Sequence, residues 1–260
     1  MPHIFCSGCG CGQIMNSMLM AIDALALDMD NIVFVGGVGC NSRQVCWRKA
    51  YAMHGLHGRA FAWATGIKLS APDLKVIVLT GDGDCAAIGG NHFIHAARRN
   101  LDMTVIVCNN FNYGMTGGQF APTTQLGMVT TTSPLGNIEF PFDLCKLAET
   151  AGATFVSRWG THTIHPLQKS MKNAISHKGF SFIEVMSPCP TNYGRRDLKS
   201  SDPLVNYQKI KEITVTKKKA EKLSDAELEN KIIMGDFVRK DKPTYYDQYQ
   251  AYMTIAKKNF

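Results

Sequence analysis

The sequence predicts an α/β fold built on a mostly parallel sheet with helices on both faces. Two observations carry this. Helical and strand-like patterns alternate from residue 12 to residue 199. The strand-like runs are continuous in Val, Ile and Leu rather than alternating with polar residues, as happens where helices cover both faces of a sheet.

Taken in order, Ile14, Met15, Met18, Leu19, Ile22, Leu25 and Ala26 recur at three- and four-residue spacing and line one face of a helix. The apolar run "NIVFVGG" then reads as a strand. "RAFAWATGIKLSA" reads as a helix poor in charge, "KVIVLTG" as a strand, "AAIGGNHFIHAARRN" as a helix and "MTVIVCNN" as another strand. His92 and His95 fall on that second helix and read as packing residues. A long glycine- and threonine-rich stretch, "YGMTGGQFAPTTQLGMVTTTSPLGN", follows without periodicity, and connections of that length are usually functional or disordered. The alternation resumes with "FDLCKLAETAG", "TFVSR", "HPLQKSMKNAISHKG" and "FSFIEVMS". From about residue 200 the composition turns rich in lysine, glutamate and tyrosine, with one helix expected near "SDAELENKII". The expected organisation is therefore a domain over 1–199 and a C-terminal extension over 200–260. The tyrosines of "KPTYYDQYQAY" suit a subunit contact in that extension.

A chain of 260 residues, 45% of them apolar, can fill one large core. "MPHIFCSGCG" holds no basic stretch followed by an apolar run, and no segment reaches the ~18 uninterrupted apolar residues of a membrane span. A soluble, cytoplasmic protein is expected. Nine cysteines, an odd number in a long chain, point to thiol chemistry or metal binding in a reducing compartment rather than to a disulfide framework. The formal charge of +7 is spread along the chain, and its densest run, "TVTKKKAEK", is interleaved with acids. That pattern describes a solvated face, not a nucleic-acid footprint, though a positive surface speeds encounter with acidic protein partners.

The chemistry concentrates in "TGDGDCAAIGGNHFIHAARRNLDMTVIVCNNFNYG". One strand ends in Gly-Asp-Gly, a helix follows, and the next strand ends in Asn-Asn. A parallel sheet brings such strand ends together at the rim where ligands bind. Asp82 and Asn110 are then neighbours, and a carboxylate, an amide oxygen and a backbone carbonyl are hard ligands suited to Mg²⁺. Gly81 and Gly83 allow close backbone approach, and the following helix directs its N-terminal amides at an anion. Taken alone, Gly-Asp-Gly is also ordinary turn chemistry.

Cys6 and Cys9 form a C-x-x-C pair, Cys40 follows the first strand in "GGVGCNSR", and Cys189 follows the last in "SPCPTNYG". Strand ends converge, so these thiolates can surround one iron–sulfur cubane. A structural zinc uses the same four ligands, and spacing leaves the choice open. Cys11 is an extra thiol beside the pair, and Cys46, Cys85, Cys108 and Cys145 read as inert buried thiols.

The Gly-Asp-Gly to Asn-Asn unit resembles the thiamine diphosphate motif. That resemblance implies Asp82, Asn110 and the Asn112 carbonyl as Mg²⁺ ligands, with Gly83 and Asp84 beside the diphosphate. More broadly, "FCSGCG", "GVGCNSR", "HGLHGRAFAWATGIK", "GDGDCAAIG", "NNFNYGMTGGQ" and "SPCPTNYGR", in this order, resemble the β subunit of the 2-oxoacid:ferredoxin oxidoreductases. The resemblance covers roughly residues 3 to 199.

By that resemblance Cys6, Cys9, Cys40 and Cys189 would bind a 4Fe-4S cluster, Arg43 would grip the substrate carboxylate, and His57 would face the cofactor. Met115 and Thr116 would border the thiazolium and the diphosphate. The implied reaction is the coenzyme A-dependent oxidative decarboxylation of a 2-oxoacid, with electrons passing through the cluster to ferredoxin. "YGMTGGQFAPTT" and "CPTNYGRR" look most like the 2-oxoglutarate branch, giving succinyl-CoA; pyruvate and branched-chain 2-oxoacids are the alternatives. A further alternative is a non-catalytic, zinc-stapled nucleotide-binding module. The implied partners are an α subunit supplying the pyrimidine-binding half of the site, and γ and δ chains.

Overall fold

The computed structural model describes residues 3–47 and 49–259. Ten strands form in chain order: β1 (Ile32–Gly36), β2 (Tyr51–His54), β3 (Lys75–Gly81), β4 (Met103–Asn109), β5 (Asn112–Tyr113), β6 (Gln119–Phe120), β7 (Phe155–Gly160), β8 (Phe180–Met186), β9 (Thr214–Thr216) and β10 (Ile232–Arg239). The helices are α1 (Cys11–Asp23), α2 (Ala60–Ser70), α3 (Gly90–Arg98), α4 (Leu144–Ala151), α5 (Ile164–Ser176), α6 (Pro203–Ile213), α7 (Lys217–Ala220), α8 (Asp225–Leu228) and α9 (Tyr245–Asn259). The main sheet runs β2-β1-β3-β4-β8-β7-β10-β9, and β5 and β6 form a small separate hairpin. From β2 through β7 every pairing is parallel; β10 joins β7 antiparallel. The expected α/β class and mostly parallel sheet are what the chain adopts.

Each central strand feeds two cores, because alternate side chains point to opposite faces. Val33, Val35, Val76, Val78, Val105, Val107 and Phe182 pack beneath α2, α3 and α4. Ile32, Phe34, Ile77, Leu79, Ile106 and Val185 pack beneath α1 and α5. Burial on both faces is why the strands read as unbroken apolar runs. Phe93 of α3 sits at the centre of the first core, its ring 4.9 Å from that of Phe182 and 5.6 Å from that of Phe61. Phe93, Ala96 and Ala97 do the packing of α3, whereas His95 is exposed and His92 only half-buried, so the expected packing role of the histidines does not hold. Cys46 likewise is exposed rather than buried, while Cys85, Cys108 and Cys145 lie in the cores.

The helix after Gly-Asp-Gly opens with a wider π turn, Asp84–Ile88, before α3 begins. Such turns are frequent at functional sites. In the C-terminal extension the expected helix is confined to α8, closed at its start by a Ser224–Glu227 capping box. Asn230, at φ 65°, turns the chain out of it, and Ile232, Met234 and Val238 then enter β10. Residues 232–239 thereby cover the edge that β7 would otherwise expose. The edge strand β2 was also invisible as a pattern, since Tyr51, Ala52 and His54 face solvent. Among the described residues no helix is long and apolar enough to cross a membrane.

Replacing Phe93→Ala removes a fully buried ring from a close-packed cluster and is expected to cost about 3–5 kcal/mol of unfolding free energy in denaturant melts. Leu135→Ala, on a fully exposed side chain, is expected to change the same melts by less than about 0.5 kcal/mol.

Candidate functional site

The carboxyl ends of β1, β3, β4 and β8 lie side by side, and the segments following β1, β3 and β4 line an open cleft. Gly81, Asp82, Gly83 and Asp84 line it from β3, and Asn110, Asn112, Met115 and Thr116 from the segment after β4. Cys40 and Asn41 enter from the turn after β1, and His57 from the loop before α2. Every cofactor-binding candidate read from the sequence therefore borders one cavity.

Asp84 holds the loops of this cleft together. Its Oδ1 accepts the backbone N–H groups of Val38 at 3.2 Å and Gly58 at 2.7 Å, and meets His57 Nδ1 at 2.5 Å. Its Oδ2 accepts the Thr80 hydroxyl at 2.6 Å. The carboxylate is thus spent as a bracket between the ends of β1 and β3 and the loop before α2. Gly37 is required there, because a Cβ would stand 2.1 Å from Asp84 Oδ2. The bracket also orients His57: with Nδ1 engaged, Nε2 is the ring atom left for a ligand. Its ring meets Tyr113 edge-on at 5.8 Å, and the Tyr113 hydroxyl donates to the Gly83 carbonyl at 3.3 Å.

Asp82 is compensated differently. It is 2% exposed, and its Oδ2 accepts the Thr123 hydroxyl at 2.5 Å. Burial pushes its carboxyl up to about 7, only partly opposed by the Thr123 hydroxyl and backbone N–H groups, with the negative charge of Glu184 pushing the same way. Among the described residues no cationic side chain is paired with it. Beside it, the chain turns through Phe111 at φ 63°, a left-handed conformation that costs a bulky residue roughly 1–2 kcal/mol. The Asn112 amide group donates to the Asn110 carbonyl at 2.7 Å across that turn. A buried carboxylate without a counter-cation, next to amide and carbonyl oxygens, is a donor set that fits a hard divalent ion.

The thiols gather on the same rim. Cys9 N–H donates to the Cys6 carbonyl at 3.0 Å, closing a tight turn, and Cys189 follows β8, its thiol 3.9 Å from Asn112 Oδ1. Cys40 is fixed by its successors. Asn41 donates to the carbonyls of Thr80 and Ile106, the Ser42 hydroxyl to Leu79, and the Gln44 amide to Cys11. The Cys40 thiol is pushed up to about 12, first by burial and then by the charges Cys9, Cys108, Cys189 and Cys6 would carry, so these thiols share one neighbourhood. Cys11 is turned into the core, 3.8 Å from the Cys108 sulfur, and its hydrogen bonds to Cys108 and Cys9, then its burial, push its thiol up. The Cys11 S–H in turn draws Cys9 down to about 7. Among the described residues no three His, Cys, Asp or Glu side chains are gathered closely enough to hold a single metal ion.

Arg43 is outside this constellation. Asn41, Ser42, Gln44 and Val45 are all buried by the 3-10 turn that begins at Ser42, which leaves the Arg43 side chain exposed and off the cleft lining. Two polar residues hydrogen-bonded to the motif, Thr123 to Asp82 and Glu184 to Asn109, escaped the sequence reading. Thr123 lies in a loop without pattern. Glu184 did carry a signal, as the single charge in the buried strand "FSFIEVM".

Residues 37–185 match the thiamine pyrophosphate enzyme family, in its C-terminal TPP binding domain. The chain is 50% identical over 250 residues to the 2-oxoglutarate synthase subunit KorB of Methanocaldococcus jannaschii, covering 95% of this chain and 92% of that one. It belongs to the β-subunit family of the 2-oxoacid:ferredoxin oxidoreductases. KorB of Methanothermobacter thermautotrophicus is 48% identical over 94% of this chain and 85% of its own length. Among solved structures, the 2-oxoglutarate:ferredoxin oxidoreductase from Magnetococcus marinus, with 2-oxoglutarate, coenzyme A and succinyl-CoA bound, superposes with a TM-score of 0.86. That match has 32% identity and covers 97% of this chain and 86% of the other. As a β subunit the chain is one part of a multi-subunit enzyme, and the matched domain supports thiamine diphosphate as its cofactor.

The buried Asp82 makes metal-free stability depend on pH. The folded state holds this proton up to about pH 7, whereas the unfolded carboxyl releases it near 3.8. Protons bound in excess by the folded state mean that stability falls as pH rises through that window, by roughly 4 kcal/mol in all. In EDTA, Asp82→Asn is therefore expected to melt increasingly above the wild type between about pH 4 and pH 7, with the gap level above that.

Proposed function

We propose that this chain is the thiamine diphosphate-binding subunit of an enzyme that converts 2-oxoglutarate and coenzyme A to succinyl-CoA and CO₂, passing electrons through a 4Fe-4S cluster to ferredoxin. The observation that carries this reading is the buried, cation-free Asp82 beside Asn110 and Asn112, on the same rim as Cys40 and Cys189. Bound thiamine diphosphate supplies the carbanion chemistry by which a 2-oxoacid loses CO₂.

The residues of this chain would do the rest. Asp82, the Asn110 side chain and the Asn112 carbonyl hold Mg²⁺, and the glycines at 81 and 83 admit the diphosphate. Met115 and Thr116 wall the cleft, and His57, oriented by Asp84, presents its second nitrogen. Arg43 retains the role of substrate anchor only if the partner subunit brings the substrate to its exposed position. The site is completed by an α subunit, with γ and δ chains as further proposed components.

Cys6, Cys9, Cys40 and Cys189 are the proposed cluster ligands. The burial of Cys11 against Cys108 supports Cys6 and Cys9 over Cys11. Similarity to a 2-oxoglutarate synthase subunit and to a 2-oxoglutarate:ferredoxin oxidoreductase supports the cubane over the zinc-stapled module.

The test uses the chain co-expressed with its partner subunits and purified without oxygen. Coenzyme A-dependent reduction of a viologen dye is expected with 2-oxoglutarate well above pyruvate or branched-chain 2-oxoacids, and iron near four per chain is expected where zinc is absent. A preference for pyruvate overturns the substrate, and stoichiometric zinc without iron overturns the cluster.

A further inference from the structure

The motif that ends β4 contains two asparagines, and only the second lines the cleft. Asn109 is buried and faces the other way. Its Oδ1 accepts the Phe111 N–H at 3.1 Å, and its Nδ2 donates to Glu184 Oε1 at 2.7 Å. Phe111 is the residue held at φ 63°, and it lies between Asn110 and Asn112. Asn109 therefore clamps the N–H side of the turn that presents both of them to the cleft, while the Thr124 hydroxyl, donating to the Phe111 carbonyl at 2.6 Å, holds the other side.

Glu184 is an unusual anchor for such a clamp. It lies within β8, 2% exposed, between Ile183 and Val185, both fully buried. Its Oε2 accepts Arg158 Nε at 2.7 Å and the Cys145 thiol at 3.3 Å. Arg158 is the cross-strand partner of Glu184 on β7. Its remaining nitrogens donate to the Ile233 carbonyl of β10 at 3.1 Å and to Asp143, the N-cap of α4. A connected series of polar contacts thus runs from α4 and β10 through β7 and β8 to a single backbone N–H beyond β4. Buried ion pairs add little stability compared with apolar residues of the same volume, so stability alone does not explain the arrangement. What apolar residues could not supply is an acceptor that fixes which way the Asn109 amide faces.

The geometry points to Glu184 and Asn109 as positioning residues for the magnesium site: Glu184 locks the Asn109 amide, which locks the Phe111 turn, which sets the spacing of the Asn110 side chain from the Asn112 carbonyl. This inference rests on the cofactor reading above.

The test measures Mn²⁺ in place of Mg²⁺ on the assembled enzyme with thiamine diphosphate, following loss of the free-ion EPR signal. Removing an outer partner of a metal ligand typically costs 10–100-fold in affinity, and that loss is expected for Asn109→Ala and for Glu184→Gln. The pair Asn109→Asp with Glu184→Gln reverses the direction of the side-chain bond while keeping an acceptor for the Phe111 N–H and one for Arg158. It is expected to bind Mn²⁺ close to the wild type. Single variants that bind Mn²⁺ as the wild type does, while melting lower, overturn the clamp and leave the cofactor reading standing. So does a pair that binds no better than its parts. A wild-type enzyme that takes up no Mn²⁺ with thiamine diphosphate overturns the cofactor reading and the clamp with it. Where Glu184→Gln does not assemble, Asn109→Ala leaves the Glu184–Arg158 pair intact and decides the matter alone.

Discussion

A parallel sheet covered on both faces has little room for polar chemistry except where its strands end. Here β1, β3, β4 and β8 carry buried side chains along nearly their whole length, and water is excluded on either side by α1 and α5 or by α2, α3 and α4. Within the sheet a polar side chain must be paired by the protein itself, as Glu184 is by Arg158; side chains that face a ligand lie where the strands leave the sheet, on adjacent strands at the same end. Asp82, Asn110, Cys40 and Cys189 are thereby brought within one rim although 149 residues of chain separate the first cysteine of that set from the last. Without the continuous register of β1, β3, β4 and β8, none of these side chains would meet another.

Two buried carboxylates lie at that rim and a third, Glu184, lies behind it within β8, and the way each charge is balanced separates their duties. Asp84 is met by backbone N–H groups, a hydroxyl and His57, so its charge is satisfied by the protein itself. Glu184 is met by Arg158 and by the Asn109 amide. Asp82 has a hydroxyl and backbone dipoles but no cation, and its raised proton affinity is the electrostatic consequence. A buried charge is tolerated when paired, and the one left unpaired is where an external cation stabilises the fold most. Electrostatic balance, rather than position in a motif, sets the proposed ligand apart from the brackets around it.

Much of this was legible in the sequence because burial on both faces leaves an unambiguous pattern. The central strands and the helices that cover them follow from apolar periodicity, and Asp82, Asn110 and the cysteines from motifs at strand ends. The failures share a cause: they depend on contacts between distant segments. The edge strand β2 exposes most of its side chains and so lacks the signature of its neighbours. The exposure of Arg43 was likewise not legible: its neighbours Asn41, Ser42 and Gln44 use their side chains to tie the turn to β3, β4 and α1, which turns residue 43 outward, off the cleft of this chain. Thr123 reaches Asp82 across 41 residues, and Glu184 reaches Asn109 across 75. No local pattern encodes such pairs.

The change of composition near residue 200 marks no break in hydrogen bonding. β10 supplies the antiparallel partner of β7 and buries Met234 and Val238, so the sheet is finished by residues that read as an extension. At the other end, Pro203 of α6 packs against the Cys6–Cys9 turn so closely that a Cβ at Gly8 would stand 2.4 Å from it. Gly8 also takes φ 75°, so both space and conformation demand glycine between the two thiols. The segment after residue 200 therefore constrains the cysteine turn and the far edge of the sheet that bears it. It leaves to solvent Leu204 and Tyr207 of α6 and Tyr249, Tyr252 and Ile255 of α9, and apolar surface of that kind is where a subunit of a larger enzyme has area still to bury.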